Sequence, residues 1–143
     1  MREYFESRVT PEEQSFGTVV IDIADAAGVM HGKIQRLGLG NDIGSLERVN
    51  VQGEEVQRLD EVATQVFLNA LKKSEKVAVV GCEERDEPVF LGQDQAPFIV
   101  HMDPIDGSSN IEVAVGIGSI FGIWPNVGNL ETTPDALLSP GKY

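Results

Sequence analysis

The spacing of apolar residues changes once along this chain, near residue 75, and the change separates a helical part from a stranded part. From Thr18 onward Val19, Val20, Ile23, Ala26, Ala27, Met30, Ile34 and Leu37 recur at helical intervals, with Gly38 and Gly40 as stop signals. Gly28 and Gly32 fall inside that helix, where each weakens it by about 1 kcal/mol relative to alanine. A close helix or strand neighbour would explain them. Ahead of the helix, residues 1–15 read as a polar tail, with Thr10-Pro11-Glu12-Glu13 as a turn or short helical start. The second helical pattern is the cleaner one. Leu59, Val62, Ala63, Val66, Phe67, Ala70 and Leu71 keep i, i+3, i+4, i+7 spacing, and Lys72 and Lys73 close it as the helix dipole favours.

Beyond that point the apolar runs are short and rich in β-branched residues: Val77–Val80, Val89–Leu91, Phe98–Val100 and Val113–Trp124. Bounded by Gly, Pro or charge, they predict strands. Two helices followed by a run of strands predict an α/β fold of the layered α+β sandwich kind. In it, a helix pair packs on one face of a mixed, mainly antiparallel sheet. Phe121 and Trp124 are expected in the sheet core, and Pro134–Leu138 as a short helix near the end.

Composition narrows the function. The chain has 143 residues and a net charge of −12, which repels phosphate backbones and argues against a nucleic-acid partner. No window is apolar enough for a membrane span, and the charged start MREYFESRVTPEEQ is unlike a signal peptide, so a cytoplasmic location is the default expectation. A single cysteine, Cys82, can form neither an intrachain disulfide nor a zinc site. Flanking carboxylates are expected to raise its pKa and keep it from acting as a nucleophile. His31 is expected on a helix surface, and His101 has no partner nearby in sequence.

Three acidic clusters fall at expected element ends. Glu54 and Glu55 with Asp60 stand at the start of the second helix, Glu83-Glu84 after the first strand, and Asp103-Pro-Ile-Asp106 after the third. Carboxylates at strand ends can share one pocket. In the third cluster, Pro104 is expected to stop the strand and Gly107 to permit a positive-φ turn. Asp103 and Asp106, with the carbonyl of Ile105 between them, could then reach a common centre. Such hard oxygen donors suit Mg²⁺ or Mn²⁺ rather than zinc. The small residues Gly107-Ser108-Ser109-Asn110 follow directly and would let backbone N–H groups approach an anion. An ordinary turn of Asp, Gly, Ser and Asn explains this stretch equally well. Likewise Glu83-Glu84 could be a solvated face, Asp60 an exposed helical residue, and Glu54 and Glu55 partners of the helix N-terminus.

Taken together the motifs say more. Asn50-Val-Gln-Gly-Glu-Glu-Val-Gln-Arg-Leu-Asp60, Cys82-Glu-Glu84 and Asp103-Pro-Ile-Asp-Gly-Ser-Ser-Asn110 resemble, in order, successive motifs of class I fructose-1,6-bisphosphatase. Gly116–Ile123 is similar to the family's following strand, and Leu138-Ser-Pro-Gly141 to a later turn. The resemblance runs from about Ile34 to Tyr143. It implies an N-terminal portion, residues 16–143, of a domain that continues beyond this chain. It also implies Mg²⁺-dependent hydrolysis of the 1-phosphate of fructose 1,6-bisphosphate, with two or more Mg²⁺ (or Mn²⁺) ions per site. By position, Glu83, Asp103, Asp106 and the Ile105 carbonyl match metal ligands. Glu84 and Asp60 match acids that act on the attacking water, and Asp106, Gly107, Ser108 and Ser109 match the stretch that contacts the scissile phosphate. The implied partners are a sugar bisphosphate and further copies of the full-length chain, as a dimer or tetramer. Glu112 and Cys82 depart from the family's usual aspartate and serine, and the start of the chain does not match its nucleotide-inhibitor segment. A related sedoheptulose-bisphosphatase or inositol-type phosphatase stays open, as does a cation-binding module without turnover.

Overall fold

The computed structural model describes residues 9–39, 48–107 and 116–126, and for 36–39 and 48–58 it describes the backbone alone. Helix α1 runs Pro11–Leu39 and α2 runs Arg48–Ser74; strands β1 (Val77–Cys82), β2 (Val89–Phe90), β3 (Phe98–Asp106) and β4 (Gly118–Pro125) follow. The strands form one sheet in the order β2-β1-β3-β4. β1 pairs with β3 in parallel, while the β1–β2 and β3–β4 pairs are antiparallel. The sheet is therefore mixed and mainly antiparallel, with two helices layered on it, as the order of patterns predicts.

α1 starts earlier than Thr18 and takes up part of the segment read as a tail. The reason is a reciprocal cap. The Thr10 backbone N–H donates to Glu13 Oε2 at 2.7 Å, and the Glu13 N–H donates to Thr10 Oγ1 at 3.2 Å. Pro11 fits the first helical position, where no N–H is needed. Gly28 and Gly32 do not mark a close approach: a Cβ at either would meet nothing within 4 Å. α2 ends on the side chain of Ser74, whose Oγ donates to the Leu71 carbonyl at 2.6 Å and accepts from the Lys76 N–H at 3.1 Å. Glu75 then turns the chain with φ at 56°, in the left-handed region.

The core lies between the helix pair and one face of the sheet. Val19, Ala26 and Met30 of α1 and Leu59, Ala63, Phe67 and Leu71 of α2 pack with Val80, Val100 and Met102. Phe67 meets Phe121 edge-on, with centroids 4.9 Å apart. Trp124 is not core as expected. It lies two-fifths exposed (39%), opposite Ile99, while Phe121 and Ile123 face the helices. Val62 likewise faces out.

Pro104 does not stop the third strand. β3 continues through it to Asp106, and Pro104 sits fully buried in a bulge. Its missing N–H costs nothing there, because a bulge residue is outside the regular ladder. In the described residues β4 starts at Gly118, after Gly116 and Ile117; the expected strand start at 113–115 and the expected helix at 134–138 lie outside the described residues.

Candidate functional site

Because β1 and β3 are parallel, both end at the same end of the sheet. Glu83 and Glu84 leave β1 as the two corner residues of a tight turn, closed by the Arg85 N–H donating to the Cys82 carbonyl at 3.1 Å. The Glu83 N–H donates to the Met102 carbonyl at 3.0 Å and so ties that turn to β3, one residue before Asp103.

The bulge in β3 does the aligning of the two aspartates. Asp103 lies opposite Ile120 and Asp106 opposite Gly118, so two steps on β4 answer three on β3. In a regular strand, residues three apart point to opposite faces; the extra residue returns Asp106 to the side of Asp103. Asp103 Oδ1 accepts the Ile105 N–H at 3.1 Å, bridging Pro104, and Ser119 Oγ donates to the Pro104 carbonyl at 2.7 Å. Gly107 follows with φ at 81°, the positive-φ turn expected of it.

Asp60 comes to the same place from α2. It is nearly buried (9% exposed), not the exposed helical position its sequence context allowed. One turn on, the fully buried Thr64 donates its hydroxyl to the Asp60 backbone carbonyl at 2.9 Å. Partial withdrawal from water pushes the Glu84 carboxyl above the ordinary glutamate range. A hydrogen bond shared with Glu83 and the charges of Asp60, Glu83 and Asp103 push it the same way. Asp103 is also raised, first by desolvation, then by Glu83 and Asp106, against the bond from the Ile105 N–H. Asp60, Glu83, Glu84, Asp103 and Asp106 are thus one electrostatic cluster drawn from three elements.

A set of carboxylates that repel one another is suited to a cation that would neutralise them. Their hard oxygens, with the Ile105 carbonyl in the bulge, fit Mg²⁺ or Mn²⁺. Among the described residues, however, no group of three or more histidine, cysteine, aspartate or glutamate side chains is placed so that it could hold a metal ion. Ser108 and Ser109, expected beside the phosphate, lie outside the described residues, as do Glu112 and the side chains of Glu54 and Glu55. α2 begins at Arg48, so Glu54 and Glu55 stand within the helix and not at its N-terminus. Cys82 is buried and its thiol is pushed up by desolvation, against hydrogen bonds from the Glu84 backbone and the Thr64 side chain; burial, not the flanking carboxylates, is the main cause. His31 is exposed, as expected.

Two features had no local signal. On the sheet face away from the helices, His101 pairs between Gly81 and Gly122, which carry no side chains. They floor a cleft of about 560 Å³ whose walls include Glu83, Arg85, Asp103 and Ile120. The other is an ion pair between Arg85 Nη2 and Glu61 Oε1 at 2.6 Å, linking residues 24 apart in sequence.

Helices layered on one face of a mixed sheet, with carboxylates gathered where its parallel strands end, define a layered α/β fold with an acidic edge. The chain belongs to the fructose-1,6-bisphosphatase family: the family model "Fructose-1-6-bisphosphatase, N-terminal domain" matches residues 4–143. It is 38% identical over 130 residues to a class 1 fructose-1,6-bisphosphatase of Sorangium cellulosum, covering 90% of this chain and 38% of that protein. It is 44% identical over 110 residues to the chloroplastic fructose-1,6-bisphosphatase of Oryza sativa subsp. indica, covering 76% of this chain and 27% of the relative. The T-state crystal structure of Leishmania major fructose-1,6-bisphosphatase superposes with a TM-score of 0.67 at 25% identity, covering 92% of this chain and 38% of that one. The chain thus spans between a quarter and two-fifths of the length of these relatives.

Proposed function

We propose that this chain supplies the metal- and phosphate-handling part of a Mg²⁺-dependent sugar-bisphosphate phosphatase. The reaction is hydrolysis of the 1-phosphate of fructose 1,6-bisphosphate to fructose 6-phosphate and phosphate. The observation that carries it is the convergence of Asp60, Glu83, Glu84, Asp103 and Asp106 at one end of the sheet.

Glu83, Asp103, Asp106 and the Ile105 carbonyl would hold the cation. When bound, it supplies positive charge for the phosphate oxygens and the leaving alkoxide, and acidifies a bound water. Glu84, on the neighbouring turn position, takes a proton from the attacking water, and Asp60 holds that water's orientation. The new bond joins the water oxygen to phosphorus. The bond from phosphorus to the sugar oxygen breaks, the alkoxide takes a proton from solvent, and Glu84 returns its proton to solvent. Gly107 turns the backbone, and Ser108 and Ser109 would offer donors to the phosphate. The remaining length of the relatives would contribute the sugar side of the pocket, and the working form would be a cytoplasmic homo-oligomer.

Phosphate release from fructose 1,6-bisphosphate, in the full-length protein with saturating Mg²⁺, tests this. Asp103→Asn and Asp106→Asn should each lower turnover by about a hundredfold or more. Near-normal turnover in either variant would sink the assignment of that residue.

A further inference from the structure

The acidic cluster carries a problem that its own residues do not solve. Asp60 of α2 and Glu84 of the β1 turn repel each other, and Glu83 and Asp103 add to the repulsion. Between these two carboxylates the force is repulsive, and a cation would reverse it. The residues next in sequence to these two acids do the opposite. Glu61 follows Asp60, Arg85 follows Glu84, and Arg85 Nη2 lies 2.6 Å from Glu61 Oε1. An attractive pair stands directly beside a repulsive one, joining the same two elements.

The pair is supported on both sides. Gln65 Nε2, one turn along α2, donates to the same Glu61 Oε1 at 3.1 Å and fixes the acceptor. The Arg85 backbone N–H closes the Cys82–Arg85 turn at 3.1 Å, so the residue that grips α2 also defines the corner holding Glu83 and Glu84. It is the sole salt bridge among the described residues. Its side chains are one-third and one-half exposed (34% and 54%), so its worth to global stability is small. Its reach is local: it joins the turn to the helix.

We propose that Glu61 and Arg85 form a latch that positions Glu84 against Asp60 and holds the acidic site assembled before a cation enters. They are positioning residues, and neither needs to touch metal or substrate. Without the latch the turn relaxes outward, and a cation must first close the site. The metal-binding part of this inference rests on the function proposed above; the latch itself does not.

The test is made in the full-length protein with Glu61→Ala, Arg85→Ala and the reversed pair Glu61→Arg with Arg85→Glu. Two readouts are needed. Hydrogen–deuterium exchange without metal should show amides 83–86 exchanging about two- to fivefold faster in either single variant. Mn²⁺ binding, followed by titration calorimetry, should weaken by a similar factor, with far-UV circular dichroism and thermal midpoint unchanged. The reversed pair should restore both readouts to within about twofold, and 1 M NaCl should bring wild type towards the single variants. Unchanged exchange in both single variants, or no recovery in the reversed pair, overturns the latch. Asp103→Asn separates the two ideas: if it binds Mn²⁺ as wild type does, the metal reading fails, and the exchange data still decide the latch.

Discussion

Asp103 and Asp106 are three positions apart on β3, yet their partners on β4, Ile120 and Gly118, are only two apart. That one-residue surplus puts both carboxylates on one side of the sheet. Inside the bulge, the Ser119 hydroxyl of β4 donates to the Pro104 carbonyl at 2.7 Å. Ser119→Ala should therefore lower stability by about 1 kcal/mol, read from the urea midpoint at unchanged m. An unchanged midpoint would show that the bulge holds its shape without this bond.

Gly107 adopts φ of 81° immediately after the second aspartate. A Cβ there is strained whatever space surrounds it. Gly107→Ala should cost about 1–2 kcal/mol in chemical denaturation. A cost near zero would mean that the turn is free to adopt another conformation.

The opposite change is expected at Glu75, which holds φ of 56° with a side chain. Glu75→Gly should raise stability by about 0.5–1 kcal/mol, since glycine enters the left-handed region freely at a helix C-terminus. A fall in the thermal midpoint would contradict this.

Phe67 is fully buried on the sheet side of α2 and meets Phe121 edge-on. Phe67→Ala should remove about 3–5 kcal/mol, a large part of the stability of a domain this size. Loss of cooperative thermal unfolding would be the visible sign, and a cost below about 1 kcal/mol would refute the packing described.

The start of α1 should respond to acid. Hydrogen bonds from the Thr10 backbone and then its hydroxyl hold the Glu13 carboxyl below its usual value of 4.5. A depressed folded-state pKa gives stability that is present above the unfolded value and lost as pH falls through the folded one. Fraying of residues 10–14 should thus set in only below pH 4.5, seen as faster amide exchange or shifted resonances. Glu13→Gln should abolish that pH dependence; persistence of it would assign it to another group.

How much of this was legible in the sequence depended on how local each cause is. The α2 face from Leu59 to Leu71 was plain, because helical period and burial coincide there. The pairing of Asp103 with Asp106 was also legible, but its reason was not. Pro104 reads as a strand stop, and only the register against β4 shows that the strand passes through it. Trp124 misled because both faces of β4 carry large apolar residues, Phe121 and Ile123 on one and Ile120 and Trp124 on the other, so alternation gives no contrast. The burial of Asp60 depends on what α2 packs against. Glu61 and Arg85 meet across 24 residues with no pattern linking them.

The parallel β1–β3 pair has a further consequence, in time rather than space. Adjoining such strands requires closing the whole segment through β2 before any of their hydrogen bonds form, whereas the two helices can grow from contacts a turn apart. Local helical contacts are therefore expected to form before the acids meet. Pairing β1 with β3 is a step that brings like charges together, so added salt or a divalent cation is expected to favour it.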